Sequence, residues 1–92
     1  MNTTSPHESH DAIVKRLRRA SGHLDNVTGM LEAGRACLDV AQQLHAVERA
    51  IGAAKKELIH DHIDHCLDLA TQSPPRPFRA TLEEFKAIAK YL

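Results

Sequence analysis

The stretch from residue 37 to residue 66, CLDVAQQLHAVERAIGAAKKELIHDHIDHC, decides how this chain folds. Its larger apolar residues recur in alternating steps of four and three, which is the pattern of a helix that packs along one stripe. The residues on this stripe are Val40, Leu44, Val47, Ile51, Ala54 and Leu58. The pattern predicts one long helix over residues 36–70.

Metal-ligating residue types stand at both ends of this stretch. His62 and Cys66 are four residues apart, so they lie one turn apart on the same side of a helix. Cys37 precedes His62 by 25 residues, which is roughly 37 Å along a helix axis. One straight helix therefore cannot bring the three side chains to one ion, but two antiparallel copies can. The spacing predicts both a metal site and a dimer.

Thiolate and imidazole donors favour particular ions. They suit Zn(II), Cu(I), Ni(II) or Co(II) and do not suit Mg or Ca. A buried Cys or a single His on an apolar face is commonly a packing residue, so each ligand alone indicates little. The combination of Cys37 with the His62 and Cys66 pair favours metal binding.

The chain on either side continues the helical pattern. A second stripe predicts a helix over about residues 9–33, with Gly34 near its C-terminal cap. Its members are Ile13, Leu17, Ala20, Leu24, Val27 and Leu31. Ser5-Pro6-His7-Glu8 also matches a capping box, which allows an earlier start. Residues 72–77, QSPPRP, predict a stiff linker, and Thr81-Leu82-Glu83-Glu84 predicts the start of a third helix that runs to Leu92.

These elements define an all-α chain of three helices. We expect a flexible N-terminal tail over residues 1–9 and a single helical domain over residues 10–92. A hairpin of two long helices cannot cover all its own apolar residues, and the core of so short a chain is marginal. The expected assembly is therefore an antiparallel four-helix bundle formed by two protomers.

Composition excludes several classes of protein. The 92 residues include 12 basic and 12 acidic side chains, so bulk charge alone does not indicate a nucleic-acid partner. The sequence has no apolar run of 18 residues, and we expect no membrane span. Two cysteines without a signal-peptide pattern predict a cytoplasmic protein with free thiols.

Several ordered motifs resemble the CsoR/RcnR family of bacterial metal-responsive repressors. They are RLRRASGHL at residues 16–24, MLE at 30–32, Cys37, QQL at 42–44 and DHIDHC at 61–66. The resemblance covers about residues 13–92. It implies a dimer of dimers in which Cys37 of one protomer and His62 and Cys66 of its neighbour bind the metal. It also implies that the metal-free homotetramer binds operator DNA and that metal releases it, so that efflux genes are expressed.

Basic residues supply the candidate DNA-binding surface. Such residues usually form a solvated helix face, but in a tetramer the patches repeat and can bind phosphates despite a net charge of zero. The candidates are Lys15, Arg16, Arg18, Arg19, Arg49, Lys55 and Lys56. With few aromatic residues and no recognition-helix pattern, we expect readout of the DNA backbone and shape.

The resemblance also bears on the choice of metal. Copper-sensing members place Tyr immediately before the first Cys, where this chain has Ala36, and carry an acidic residue in the third helix, to which Glu83 or Glu84 corresponds approximately. Nickel- and cobalt-sensing members take a further ligand from an N-terminal His, for which His7 and His10 are candidates. These features predict Ni(II), with Cu(I) as the alternative and Co(II) or Zn(II) as further possibilities.

Two other classes of function fit part of the pattern. A metal-storage or delivery protein would bind metal without DNA, and it would leave the basic run from Lys15 to Arg19 without a role. A metal-dependent enzyme would need an acid–base or nucleophile constellation and a substrate pocket, and neither is indicated. We therefore expect no catalytic residues and no small-molecule substrate.

Overall fold

Three helices form the described part of the chain. The structure is a computed structural model that describes residues 6–70 and 78–92, and the side chains of residues 6–9, 66, 69, 70 and 78 lie outside that description. Helix α1 spans Pro6–Glu32, α2 spans Cys37–Ala70 and α3 spans Phe78–Ala89. The described ranges contain no strand, which confirms the all-α prediction. Within them, no helix combines the length and apolar composition needed to cross a membrane.

The ends of the two long helices follow local sequence signals. Helix α1 begins at Pro6, the position that the Ser5–Glu8 pattern predicts, because proline needs no hydrogen bond to its nitrogen in a first turn. After α1, Gly34 adopts a φ of 72°, and the amide of Arg35 donates to the carbonyl of Met30 at 3.0 Å. This left-handed glycine closes the last turn and lets the chain reverse into α2. Residues 6–9, which the sequence analysis assigned to a flexible tail, therefore belong to α1, and residues 1–5 of that tail lie outside the described residues.

Helix α3 begins earlier than the sequence predicts. Its first residue is Phe78, three positions before the predicted start at Thr81. Thr81 therefore lies within the helix and not at its N-terminal cap. The residue is buried, with 7% of its surface exposed. No glycine or proline stands between Phe78 and Thr81, so nothing in the sequence prevents the helix from extending back to the proline-rich stretch. The predicted linker at residues 72–77 lies outside the described residues.

Helices α1 and α2 form an antiparallel hairpin whose core repeats every seven residues. The buried residues on this hairpin are Ile13, Ala20 and Val27 from α1 and Val40, Val47 and Ala54 from α2. Val27, Val40 and Val47 form one cluster, against which Met30 packs. A repeat of seven keeps the same side of each helix toward its neighbour over the length of the hairpin.

The other residues of both stripes stay exposed in the protomer. Each lies four positions after a buried residue and leaves at least 40% of its surface accessible, and we call this set the apolar face: Leu17, Leu24, Leu31, Leu44, Ile51 and Leu58. A step of four rotates a side chain by about 40° around the helix axis. Because α1 and α2 are antiparallel, that rotation turns both sets toward the same side of the hairpin.

The opposite side of the hairpin is polar. His23 Nε2 and Gln43 Oε1 lie 2.7 Å apart, and Arg16 Nε lies 3.2 Å from Glu57 Oε2. Each of these four residues lies three positions after a buried core residue, which is a rotation of about 60° away from the apolar face. The hairpin is therefore amphipathic, with one side apolar and the other side polar.

Candidate metal centre and nucleic-acid interface

Cys37 occupies the first position of α2. Its thiol is free and exposed. The amide of Val40 donates to the carbonyl of Ala36 at 3.1 Å, and this bond holds the first turn that positions Cys37. Because Cys37 lies three positions before the buried Val40, helix geometry places it on the side of the apolar face.

His62 lies where α2 and α3 pack together. Its side chain is 28% exposed, and its Nε2 atom lies 3.2 Å from Oε1 of Glu84 on α3. This is an ion-pair distance without hydrogen-bond geometry, since the buried Nε2 atom has no hydrogen-bond partner among the described groups. Of the two acidic candidates in α3, Glu84 is therefore the one in contact with His62. A carboxylate beside one ring nitrogen is a common arrangement around a metal-binding imidazole, whose other nitrogen donates to the ion.

The structure keeps the predicted ligands apart within one protomer. Cys37 and His62 belong to one unbroken helix and are 25 residues apart, roughly 37 Å along its axis. Cys66 is in α2, one turn beyond His62, and its side chain is outside the described part of the chain. In the described part, no three His, Cys, Asp or Glu side chains come close enough to hold one ion. The thiol and imidazole donors fit a soft metal only if two chains contribute them.

The two N-terminal histidines lie at the end of the hairpin that carries His62. The Arg16–Glu57 contact fixes this arrangement, because it sets the first half of α1 beside the second half of α2. His10 is exposed on α1, and His7 is in the first turn of α1 with its side chain outside the described set. His10 forms no three-donor cluster with any described residue.

The basic run of α1 borders a groove on the polar side of the hairpin. Lys15, Arg16 and Arg19 line this groove, whose volume is about 550 Å³, together with His23. Alanines from both helices also line the groove: Ala12, Ala20, Ala50 and Ala53. Arg18 is exposed and does not line the groove. Three of the four basic residues in this run therefore line one groove, and their positive charge suits a phosphate.

The basic residues of α2 border a second groove. Arg49, Lys55 and Lys56 line a depression of about 610 Å³ that also contains Glu57 and Asp61. The mixed charge makes this groove less positive than the groove on α1. Six of the seven predicted basic residues thus line one of the two grooves, three in each, and Arg18 lines neither.

Two of the residues that link α1 to α2 on the polar side, Glu57 and His23, are absent from the predicted site. The sequence analysis did not single out Glu57 or His23. Their spacing from the core could have identified them, since Glu57 lies three residues after Ala54 and His23 three residues after Ala20. Residues at equal offsets from the core of two antiparallel helices lie on the same side of the hairpin. Arg16 is consequently held by a carboxylate of its own chain, at 55% exposure of its side chain.

The described chain is thus an all-α protein whose hairpin has one apolar side, basic side chains along grooves on its surface, and thiol and imidazole groups far apart on α2. Residues 9–91 match the family model described as "metal-sensitive transcriptional repressor". The chain belongs to this family, which confirms the CsoR/RcnR resemblance. The family is one of transcriptional repressors and not of enzymes.

Individual relatives agree with this assignment. The chain is 39% identical over 59 residues to the copper-sensing transcriptional repressor CsoR of Mycobacterium ulcerans, which covers 64% of this chain and 50% of that protein. It is 33% identical over 63 residues to the copper-sensing repressor RicR of Mycobacterium tuberculosis, covering 68% of this chain and 66% of that protein. It is 35% identical over 63 residues to CsoR of Bacillus subtilis, covering 68% of this chain and 62% of that protein.

The aligned segment is shorter than the relatives themselves. The chain spans about half the length of the mycobacterial CsoR proteins that it matches. No solved structure matches this chain significantly. All three relatives named above are described as copper-sensing, so they do not support the prediction that nickel is the preferred metal.

Proposed function

We propose that this protein is a Cu(I)-responsive transcriptional repressor of the cytoplasm. Its metal-free form binds operator DNA, and Cu(I) binding between two protomers releases the DNA and allows efflux genes to be expressed. The proposed ligands are Cys37 of one protomer and His62 and Cys66 of its partner. The observation that carries the proposal is the Glu84 carboxylate beside the buried Nε2 of His62, which leaves the second ring nitrogen available as a donor.

The donor set supports Cu(I) over Ni(II). Two thiolates and one imidazole satisfy Cu(I), which accepts three soft ligands, whereas Ni(II) prefers four or more donors. A further donor for Ni(II) would have to come from His7 or His10 in the first turns of α1. The copper-sensing descriptions of the relatives agree with this choice.

The apolar face supports the dimer that this site requires. Six aliphatic side chains, each at least 40% exposed, line one side of both long helices. Burying such side chains contributes roughly 1.5–3 kcal/mol each when it is complete. Packing two copies of this face in antiparallel orientation forms a four-helix bundle, and it brings the Cys37 end of one α2 to the His62 end of the other. We propose that two such dimers form the homotetramer.

The basic grooves support DNA as the partner. The groove lined by Lys15, Arg16 and Arg19 lies on the side of the hairpin opposite to the apolar face, so dimerisation leaves it open. Repeated on each protomer, it offers several phosphate contacts on one assembly. Arg49, Lys55 and Lys56 extend the positive surface along α2.

The link between the two sites is a change in the relative position of two protomers. The thiolate of Cys37 in one chain and the imidazole of His62 in the other would hold Cu(I), which when bound would cross-link the two protomers. Cys37 starts α2 directly after the turn at Gly34, and His62 lies against α3, so this cross-link restrains the turn of one protomer and the α2–α3 interface of the other. DNA release then follows from the coupling free energy between the metal site and the DNA-binding surface. In allosteric proteins this coupling is typically about 1–3 kcal/mol, which changes the affinity by about 5–150-fold.

The test is a DNA-binding titration under anaerobic conditions. A fluorescent fragment of the promoter of the protein's own gene is titrated with the metal-free protein, with buffered Cu(I) and with Ni(II). We expect Cu(I) to weaken DNA binding by at least about 5-fold and Ni(II) to leave it unchanged. The Cys37→Ala variant should bind the same DNA and fail to release it with Cu(I).

Each contrary outcome identifies a different error. Release by Ni(II) and not by Cu(I) would show that the metal is wrong. Cu(I) binding by a protein without affinity for the promoter would favour storage or delivery. Loss of DNA binding by a folded Cys37→Ala variant would contradict the separation between the metal ligands and the DNA surface.

A further inference from the structure

The basic groove of α1 ends at a polar pair between the two long helices. Three cationic side chains line this groove, and His23 lines it one helical turn after Arg19. His23 is half-buried, and its Nε2 atom lies 2.7 Å from Oε1 of Gln43 on α2. The lining of the groove therefore includes a titratable imidazole in addition to the three cations.

The contact with Gln43 determines which nitrogen of His23 carries the proton. An amide oxygen only accepts hydrogen bonds, so Nε2 of His23 donates to Oε1 of Gln43. A neutral imidazole has a single ring proton, so its Nδ1 atom then has a lone pair and cannot donate to a phosphate oxygen. Only the doubly protonated imidazolium can keep the bond to Gln43 and also donate from Nδ1 to a phosphate.

The charged groups around His23 favour an anion from outside the protomer. On α1, Arg19 borders the same groove one turn away. On the polar side of α2, the carboxylates of Asp39 and Glu57 flank the position of Gln43, and each lies within 4.0 Å of an arginine of the chain. Helix α3 contacts α2 and not α1 within the described residues, so its charges do not face His23. Both carboxylates are thus engaged within the chain, and the groove retains its positive charge.

We propose that His23 is a further phosphate ligand of the basic groove and that it takes up a proton when DNA binds. The inference rests on the proposed function, in which this groove contacts the DNA backbone. Histidine is the side chain that changes its charge between about pH 5 and 8. In the complex, Nε2 donates to Gln43 and Nδ1 donates to a phosphate oxygen, and hydrogen bonds between charged groups are the stronger kind. Because the complex holds a proton that the neutral ring lacks, the affinity for DNA rises as the pH falls.

DNA binding at two pH values tests the assignment. Fluorescence anisotropy measures the affinity of the metal-free full chain for the labelled promoter fragment at about pH 6 and about pH 8, each at several salt concentrations. We expect the affinity at the lower pH to be higher by at least about 5-fold at equal salt. The slope of log affinity against log salt should also be steeper at the lower pH, by about 1 for each protomer that contacts the DNA.

His23→Gln and His45→Gln are the matched pair of variants. Each replaces one imidazole by a polar group that does not titrate. His45 is exposed, with its Nδ1 atom 3.5 Å from Oε1 of Glu48, and it lines neither basic groove. We expect His23→Gln to reduce the difference between the two pH values to below about 2-fold and to remove the change in salt slope. His45→Gln should retain both effects in full.

A third variant, Gln43→Leu, tests the role of the amide. Without the acceptor at Nε2, the neutral ring of His23 can carry its proton on Nδ1 and donate to a phosphate without taking up a second proton. We expect this variant to bind DNA more tightly than the unmodified protein at about pH 8 and to show a smaller pH dependence. Circular dichroism confirms that the helical content of every variant is unchanged. The full pH dependence in a folded Gln43→Leu variant would contradict proton uptake directed by Gln43.

The outcome is separable from that of the proposed function. Absence of DNA binding at both pH values would count against the repressor proposal, and the assignment of His23 would fall with it. DNA binding of equal strength at both pH values would overturn the assignment of His23 alone. The same conclusion would follow if His23→Gln retained the pH dependence of the unmodified protein.

Discussion

The Oε1 atom of Glu84 lies 3.2 Å from the Nε2 atom of His62, across the interface between α3 and α2. The contact joins the short third helix to the helix that carries all three proposed metal ligands. His62 is the less exposed of the two side chains, at 28% against 44% for Glu84. A partly buried imidazole packed between two helices beside a carboxylate has a restricted ring orientation, which favours a defined metal site.

We expect Glu84→Gln to weaken Cu(I) binding. The amide keeps the size of the side chain but removes the negative charge beside the His62 ring, and changes to such partners typically cost about 10–100-fold in metal affinity or activity. The measurement is competition for Cu(I) with a chromophoric chelator. DNA binding by the metal-free variant should remain within about 2-fold of that of the unmodified protein, a change of about 0.4 kcal/mol.

Glu83→Gln is the matched control for this experiment. It removes the same charge from the neighbouring exposed position of α3, whose carboxylate forms no ion pair with His62. An equal loss of affinity in both variants would show that the net charge of α3 matters, and that the contact with His62 does not.

Arg16→Ala should weaken DNA binding uniformly across sequences. Arg16 borders the basic groove, and its loss removes about one phosphate contact, so the slope of log affinity against log salt should fall by about 1. Little stability should be lost, because exposed ion pairs such as Arg16–Glu57 contribute about 0–1 kcal/mol. Fluorescence anisotropy at several salt concentrations measures the slope.

Arg35→Ala serves as the control for Arg16. Arg35 is also exposed and paired, with its Nη2 atom 4.0 Å from Oδ2 of Asp39, but it belongs to the turn between α1 and α2 and lines neither basic groove. If both variants changed the slope equally, the groove would have no special role in binding DNA.

The sequence was sufficient to predict the helices because their periodicity and ends are local properties. Six-residue stripes with steps of four and three predicted α1 and α2, and Gly34 marked the turn between them. The start of α3 was predicted too late. The capping-box match at Thr81 indicated a start there, but residues 78–80 can also adopt a helical conformation, and the helix includes them. Local signals mark where a helix can start and do not exclude an earlier start.

The pattern of apolar residues could not predict which members of each stripe are buried in the protomer and which stay exposed. Val47 and Leu44 follow the same periodicity, yet Val47 is 2% exposed and Leu44 is 46% exposed. Which residue of a stripe is buried depends on the crossing of two particular helices, and this is a property of three-dimensional packing. The same limit applies to the metal site, where the choice of Glu84 over Glu83 depends on the rotation of α3 against α2.

Val47→Ala and Leu44→Ala should destabilise the protein in different ways. Val47 is in the core of the protomer, so its truncation should lower the free energy of unfolding by about 1.5–2.5 kcal/mol. This loss should not depend on the protein concentration. Leu44 belongs to the apolar face, so its truncation should act mainly through the dimer. Urea unfolding at several protein concentrations separates the two, because only a loss of dimer affinity depends on concentration.

Ile51→Gln should disrupt the dimer most directly. In the register that the bridging site requires, Ile51 lies next to its own copy in the partner, so each dimer would bury two polar amides without hydrogen-bond partners. We expect the dimer dissociation constant to rise at least about 30-fold, which corresponds to about 2 kcal/mol, while helical content measured by circular dichroism is retained above that concentration. Cu(I) affinity should fall in parallel, because the ligands come from two chains.

Asn26→Gln, on the opposite side of the hairpin, should change neither the dimer dissociation constant nor the Cu(I) affinity. A variant that dissociates yet binds Cu(I) as tightly as the unmodified protein would contradict a site shared between protomers.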